Sequence, residues 1–302
     1  MGSLILCTIA ACFSAFSNWI FRKNSLSLTT SSISGYLLLF YFFSFILSLT
    51  ISPSIWHVSF KYTMVVLGGI VGILNVGLMT FTSKALTKGP AGLTFAFQNA
   101  STVLPGLLLF FLFGFELGFA YSYIQLFGMM LVLIGLFFGT RGRKNDQVPI
   151  STRWLKYALA LVLIQGVALT VIQGRFVFFE YFNFSDAMPV EFEKADDVWF
   201  MPSQFGVAFI LQSFIFCYEK RKLKKSEILF GTFSGLANCV STCLLLLATK
   251  WATPIEQSVL FPLFAVTTII LCNLWASRLY KEKFNVVSNL ICALGVFVST
   301  IQ

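Results

Sequence analysis

The sequence predicts an all-α membrane protein whose ten transmembrane helices form two inverted five-helix repeats. Three observations lead to this fold: a composition too apolar for water, ten long apolar segments, and a motif that occurs twice. Hydrophobic residues make up 57% of the 302 residues and charged residues only 11%, against roughly 45–50% and about 25% in soluble domains. So few charged residues cannot cover the surface of a soluble protein of this size. Most of the surface is therefore expected to face the lipid bilayer and not water.

Ten apolar segments follow one another along the chain, and each is a candidate membrane-spanning helix. About 18 to 20 apolar residues are needed to cross the hydrocarbon core, because a helix rises 1.5 Å per residue. The first segment has no basic residue before it, so we interpret it as a helix and not as a signal peptide. The longest connections are residues 140–153 and the acidic stretch 176–197. The segments are 3–21, 33–51, 62–82, 91–113, 119–139, 154–175, 198–217, 228–248, 254–276 and 284–301.

Basic residues are distributed unevenly between the loops. The loops after segments 1, 3, 5, 7 and 9 hold 17 Lys and Arg residues, whereas the loops after segments 2, 4, 6 and 8 hold four. Basic residues beside membrane helices tend to stay in the cytoplasm. The odd-numbered loops of this multi-pass protein are therefore expected to be cytoplasmic, in a plasma or inner membrane. The same bias accounts for the formal net charge of +9 without a nucleic-acid partner.

A glycine motif occurs once in each half of the chain. It consists of two glycines four residues apart with an asparagine three residues further on, at a constant offset of 163 residues. The copies are Gly68, Gly72 and Asn75 in segment 3, and Gly231, Gly235 and Asn238 in segment 8. Such glycines let a neighbouring helix approach closely, so all four are expected to be helix-packing residues. Because each half holds five segments, the half 146–302 must be inverted relative to the half 1–145.

Further features of the two halves identify a family resemblance. They are Leu104-Pro105, Glu116, Gly128 and Gly135 in the first half, and Phe261-Pro262, Lys281-Glu282-Lys283 and Leu294-Gly295-Val296 in the second. In these features the sequence resembles the drug/metabolite transporter superfamily, in its ten-helix EamA-like form. The resemblance implies a permease for small organic metabolites with a central cavity between two five-helix halves.

Polar residues at membrane depth are candidate site residues, because a polar group in hydrocarbon requires a partner. Asn75 and Asn238 are related by the repeat, and each is expected either to bond a neighbouring helix or to line the cavity. Gln98 and Asn99 lie just before Pro105, and a proline there frees a carbonyl and permits a bend. The expected substrate-binding set is Asn75, Asn238, Gln98, Asn99 and Gln257.

Three charged residues near segment ends complete the candidate set. Glu256, at the start of segment 9, either interacts with the helix dipole or couples transport to a cation or proton. Lys88 and Lys250 occupy repeat-related helix ends, where they either extend to the interface or gate the path of an anionic substrate. Other intramembrane polar residues have no assigned role: Asn18, Gln165, Gln173, Arg175, Gln204 and Gln212.

The motifs of nucleotide-driven, metal-dependent and hydrolytic chemistry are missing from the sequence, so we expect neither an enzyme nor a cofactor or metal. The seven cysteines lie in apolar segments without a CxxC pair, which disfavours a zinc site. The leading hypothesis is a secondary transporter that moves a small polar metabolite by alternating access. The alternatives are a membrane scaffold or receptor that uses the acidic stretch 176–197 as its contact surface, and a flippase for a lipid-linked substrate. The oligomeric state is left open.

Overall fold

The computed structural model describes residues 2–27, 32–51, 61–114, 122–141, 151–182, 197–252, 254–281, 286–298 and 301. Within these residues all regular structure is helical, and it comprises eleven α-helices and one 3₁₀ turn. The helices are α1 (Gly2–Ser27), α2 (Ser34–Ile51), α3 (Tyr62–Leu86), α4 (Ala91–Ala100), α5 (Leu104–Phe113), α6 (Tyr123–Arg141), α7 (Thr152–Phe182), α8 (Phe200–Tyr218), α9 (Lys225–Trp251), α10 (Pro254–Tyr280) and α11 (Val286–Val298).

Eight helical stretches in the described residues are long and apolar enough to cross a membrane, with α4 and α5 together forming one of them. Large apolar side chains cover their outer faces, including Leu163, Phe214 and Phe233, which are 65%, 72% and 54% exposed. Such surfaces are unfavourable in water and favourable in lipid. The protein is therefore a multi-pass integral membrane protein. The other two predicted segments correspond to α6 and α11, whose apolar stretches are shorter.

The structure corrects the predicted boundary of the acidic connection. Helix α7 continues to Phe182, because Phe176-Val177-Phe178-Phe179 extends its apolar pattern past Arg175. Residues 176–182 are thus helical and not part of a 22-residue loop. Most of the acidic residues of that stretch, together with Glu116 and Glu282, lie outside the described residues.

The predicted fourth segment is interrupted at its proline. A 3₁₀ turn at Ser101–Val103 separates α4 from α5 immediately before Pro105. Proline has no backbone N–H and clashes with the carbonyl four residues earlier, so the regular helix cannot continue there. Side-chain hydroxyls compensate, since Ser101 Oγ donates to the Gln98 carbonyl at 2.6 Å and Thr102 Oγ1 to the Asn99 carbonyl at 2.9 Å.

The helix–helix contacts of the first half of the chain correspond to those of the second half. The main pairs are α1–α9 and α3–α7, α2–α9 and α3–α8, α1–α10 and α4/α5–α7, together with α2–α8, α4–α10 and α6–α11. If α4 and α5 are counted as one helix, the first five helices and the last five can be exchanged in chain order, and the same set of pairs results. The equivalent helices α2 and α8 run antiparallel, because Gln212 donates to the Ser34 carbonyl while Phe45 packs against Gly206.

The four motif glycines lie where helix backbones meet. A Cβ atom at Gly68 or Gly72 of α3 would lie within 3.0 Å of a backbone carbonyl of α8, from Phe200 and Gln204 respectively. A Cβ atom at either motif glycine of α9 would meet the backbone of α2 equally closely, at the carbonyls of Tyr36 and Phe40. The two copies of the motif therefore pack against equivalent helices, α8 and α2. These contacts bring α3 and α9 against the helices that surround a central cavity.

Candidate functional site

A cavity of about 120 Å³ lies inside the bundle and is lined by residues from both halves of the chain. This volume has room for roughly four water molecules at about 30 Å³ each, and it is below the ~300–1,000 Å³ of pockets for drug-sized ligands. Helices α1, α2, α3 and α4 contribute from the first half, and α7, α8, α9 and α10 from the second. The cavity fits a small solute.

Four of the five predicted substrate-binding residues line this cavity: Asn75, Asn238, Gln98 and Asn99. The fifth, Gln257, belongs to α10, but its side chain lies outside the described part of the structure. Both motif asparagines thus face one interior space and neither faces lipid.

The walls formed by α3 and α9 are related position by position. Asn75, Leu78 and Met79 of α3 correspond to Asn238, Ser241 and Thr242 of α9 at the offset of 163 residues, and all six line the cavity. These residues recur three and four positions apart, so each set lies on one helix face. Both copies of the sequence motif therefore place their asparagine at this cavity.

Seven polar side chains in the cavity wall make no hydrogen bond to any described residue. They are the amides of Asn75, Gln98, Gln165, Gln204 and Asn238 and the hydroxyls of Ser14 and Tyr41. Gln204 and Tyr41 are only 3% and 1% exposed, and leaving a buried polar group without a partner costs about 1–3 kcal/mol. This cost is removed when water or a polar solute occupies the cavity.

Other polar side chains at the cavity are engaged by the protein. The Asn99 amide donates to the Phe95 carbonyl at 2.8 Å, Ser241 Oγ to the Ala10 carbonyl at 2.8 Å, and Thr242 Oγ1 to the Asn238 carbonyl at 2.9 Å. The Asn18 amide contacts Cys272 Sγ at 3.7 Å. These groups are bonded within the protein, whereas the seven groups without protein partners are available to a solute.

None of the described residues that line the cavity is charged. Glu256, predicted to be the acidic group nearest the cavity, is half-buried in the first turn of α10 and is not among these residues. Among the α10 residues whose side chains are described, Phe264 lines the cavity, about 12 Å further along the helix at 1.5 Å per residue. The described cavity wall therefore offers hydrogen-bonding groups and no charge.

The predicted gate residues lie on the surface. Lys88 is exposed in the turn after α3, Lys250 is exposed in the last turn of α9, and neither lines the cavity. Toward the end of the bundle where α1, α3, α8 and α10 terminate, aromatic residues of α4 and α10 pack against one another. Phe95 packs edge-on against Trp275 at 5.8 Å, and Trp275 against Tyr280 at 5.7 Å.

Arg22 links three helices at this end of the bundle. Its guanidinium donates to the Leu86 carbonyl at the end of α3 and lies 5.7 Å from the ring centre of Tyr280 in α10. The side chain is 9% exposed. Arg22 thus connects α1 and α3 of the first half to α10 of the second.

A second charged cluster lies between α8 and α9 at the same end. Arg221 donates to both carboxylate oxygens of Glu227, at 2.9 and 2.7 Å, to Glu219 at 2.9 Å and to Ser34 Oγ at 3.0 Å. Partial burial raises the pKa of Glu219, but the hydrogen bonds from Ser32, Ser34 and Arg221 and the charge of Arg221 outweigh it, so the net pKa is lowered. The cluster holds the α8–α9 connection against the start of α2.

At the opposite end a buried ion pair joins α7 to the start of α8. Arg175 is 2% exposed and donates from Nε and one terminal nitrogen to Asp197 Oδ2, at 3.1 and 2.9 Å. It also donates to the Ile172 carbonyl at 2.9 Å and lies over the Phe176 ring at 4.3 Å. Because all these groups belong to the second half, the pair stabilises that half internally.

Sequence reasoning named some cavity residues without a role and missed others. Asn18, Gln165 and Gln204 were recognised as intramembrane polar residues, but no repeat relation distinguished them. Ser241 and Thr242 could have been found, since they follow Asn238 at helical spacing on the same face. Tyr41 lies in the aromatic run Phe40-Tyr41-Phe42-Phe43, where no sequence signal separates a cavity residue from a core residue.

Comparisons with known proteins establish the fold alone. No family profile matches the sequence, and no curated protein matches it. Twenty-seven chains of solved structures do match. One of them, a crystal structure described only as that of a protein, shares 12% sequence identity with this chain at a TM-score of 0.63, over 98% of this chain and 94% of the other. The helix arrangement of nearly the whole chain therefore recurs in an experimental structure.

Proposed function

We propose that this protein is a secondary active transporter that moves a small, uncharged polar metabolite across the membrane by alternating access. The observation that carries the proposal is the central cavity, in which five amides and two hydroxyls have no described protein partner. A site whose described lining carries no charge binds through hydrogen bonds and selects neutral solutes, because an ion in a low-dielectric cavity needs an opposite charge. The substrate class is thus small polyols, small amides or solutes of similar size and polarity.

A ten-span inverted repeat supplies the mechanism of this transporter. The equivalent pairing of α1–α6 and α7–α11, the antiparallel course of α2 and α8, and the two glycine motifs support the repeat. In such a design the halves rock around a fixed site at their interface. The α6–α11 pair would supply the fifth and tenth spans. The resemblance of the sequence features to EamA-type drug/metabolite transporters leads to the same proposal, in which the odd-numbered loops are cytoplasmic.

The two alternative functions have weaker support. A scaffold or receptor needs no interior polar cavity, and unsatisfied amides would only lower its stability. A flippase for a lipid-linked substrate needs a lateral opening that joins the cavity to the bilayer. The apolar groove on the outside of α1 and α10 shares no lining residue with the cavity.

The experiment that tests the proposal is reconstitution of the full-length protein into liposomes. Small labelled neutral solutes (glycerol and nicotinamide) are compared with a carboxylate and an amine of similar size, with and without a proton gradient. We expect saturable uptake of at least one neutral solute and none of the charged ones. Preferred uptake of an ionic solute, or no uptake of any solute by protein that is folded, would contradict the proposal.

A further inference from the structure

A groove of about 490 Å³ runs along the outside of the bundle between α1 and α10. Its walls are apolar or aromatic and include Cys12, Phe16 and Trp19 of α1 and Leu274 and Trp275 of α10. The exception is Arg278, which lines the groove near the end of α10. The groove is therefore amphipathic, with a long apolar body and one cationic end.

The two helices orient this groove along the direction of a lipid chain. Helices α1 and α10 run parallel, since Cys7 donates to the Leu260 carbonyl and Asn18 contacts Cys272 twelve residues later in α10. The lining residues of α10 run from Leu271 to Leu279, a rise of about 12 Å at 1.5 Å per residue. The groove thus runs from the middle of the bundle to its basic end.

A second cation lies at that end. Lys23 is exposed, and its ammonium lies 5.5 Å from the ring centre of Trp19, a groove residue. Arg278 forms no ion pair with a described residue. A guanidinium can donate two parallel hydrogen bonds to a phosphate, which favours an anionic head group.

We propose that the groove binds one anionic phospholipid, with an acyl chain between α1 and α10 and its phosphate at Arg278, assisted by Lys23. The surrounding bilayer supplies this ligand. Basic pockets between membrane helices at the cytoplasmic surface are suited to acidic head groups. A second copy of the chain does not fit, because a two-fold contact through this groove would bring Arg278 near its own copy, and like charges repel. The site is independent of the transported solute.

The chain contains a reporter for this site. Cys12 is exposed and lines the groove, whereas Cys217 is exposed at the end of α8 and is not a groove residue. The purified full-length protein is treated with N-ethylmaleimide in detergent, with added phosphatidylglycerol or phosphatidylcholine, and the modification of each cysteine is measured by mass spectrometry. Native mass spectrometry of the same samples counts the retained lipids.

We expect phosphatidylglycerol to slow the modification of Cys12 several-fold and to leave Cys217 unchanged, with one lipid retained per protein. Phosphatidylcholine should protect much less. Arg278→Gln should abolish the difference between the lipids, whereas Lys281→Gln, an exposed neighbour outside the groove, should preserve it. Equal protection by both lipids, no protection, or protection that survives Arg278→Gln would overturn the proposal, and so would protection that depends on protein concentration.

Discussion

At the scale of single residues, the notable property of this molecule is the number of amides that face one cavity without protein partners. Asparagine and glutamine in a membrane interior normally bond a neighbouring helix, which contributes about 0.6 kcal/mol on average. Here Asn75, Gln98, Gln165, Gln204 and Asn238 forgo such bonds. The lost stability is understandable if these groups serve a solute and not the fold.

Gln165 and Gln173 provide a matched test, because both lie on α7 but only Gln165 lines the cavity, and Gln173 is exposed. Gln165→Ala should weaken the uptake affinity for the neutral substrate about 5-fold, which corresponds to one lost hydrogen bond of about 1 kcal/mol. Gln173→Ala should leave affinity unchanged. Concentration-dependent uptake in liposomes measures both, and equal effects of the two variants would contradict the assignment of Gln165.

The substrate-binding role of Asn75 and Asn238 stays a prediction, but their positions can be compared with the cavity, and both line it. Cavity lining was one of the two roles that the repeated motif predicted for them. Glu256 was expected near the cavity, and it is not among the described residues that line it. The roles of Gln165 and Gln204 depend on which face of each helix is turned toward the cavity. A single sequence does not predict this orientation.

At the scale of helices, close backbone contact at glycines fixes the walls of the cavity. The α3–α8 and α2–α9 contacts leave no room for a Cβ atom at the motif glycines. Hydrogen bonds reinforce the α9 contacts, since Ser44 of α2 donates to the Gly235 carbonyl at 2.8 Å and Tyr36 to Ser234 Oγ at 2.6 Å. The sequence predicted that these glycines pack, but not against which helices, because the motif does not specify its partner.

Alanine substitutions should separate the packing glycines from an ordinary one. Gly72→Ala and Gly235→Ala should lower the melting temperature in detergent, with a loss of about 1–3 kcal/mol from overpacking. At Gly77 of α3 the added methyl would lie 4.0 Å from Ile164 Cδ1, so Gly77→Ala should be neutral or slightly stabilising through helix propensity. The packing role is refuted if the two motif variants melt like Gly77→Ala.

The Arg221 cluster predicts a pH dependence at the end of α8. Because the folded-state pKa of Glu219 lies below its ordinary value of about 4.3, the ionised carboxylate stabilises the fold above that pH, and this contribution disappears as the pH falls through the folded-state pKa. The difference in melting temperature between the wild type and Glu219→Gln should therefore be constant from pH 8 to 6 and shrink below pH 4. A difference that grows on acidification would contradict this.

At the scale of the whole molecule, composition predicted an all-helical membrane protein, and the eight long apolar helices confirm that part of the prediction. Apolar segments located the long helices, but not the extension of α7 to Phe182 or the 3₁₀ turn before Pro105. Helices α6 and α11 have shorter apolar stretches than the other eight spans. The prediction that they also cross the membrane depends on the proposed repeat, in which they are equivalent. Their contact uses Gly135 and Gly295, where no Cβ atom would fit, and Ser288 donates to the Gly135 carbonyl at 2.6 Å.

The predicted orientation is testable at two exposed lysines. Lys222 lies between α8 and α9, and Lys250 lies in the last turn of α9. In a cysteine-free background, Lys250→Cys should react with a membrane-impermeant maleimide on intact cells, and Lys222→Cys only after permeabilisation, because basic loops remain cytoplasmic. The reverse pattern would invert the orientation, and reaction of both on intact cells would contradict the span between them.

The central claim is that equivalent asparagines from the two halves hold one neutral solute, and uptake by the Asn75→Ala, Asn238→Ala double variant tests it most directly. The measurement is the concentration dependence of uptake of the neutral substrate into liposomes, beside the wild type and Gln173→Ala, with melting temperatures to confirm folding. We predict that the double variant loses affinity roughly 10-fold or more, from two hydrogen bonds of about 1 kcal/mol each, while it melts within a few degrees of the wild type. Unchanged uptake affinity in the folded double variant would contradict the claim.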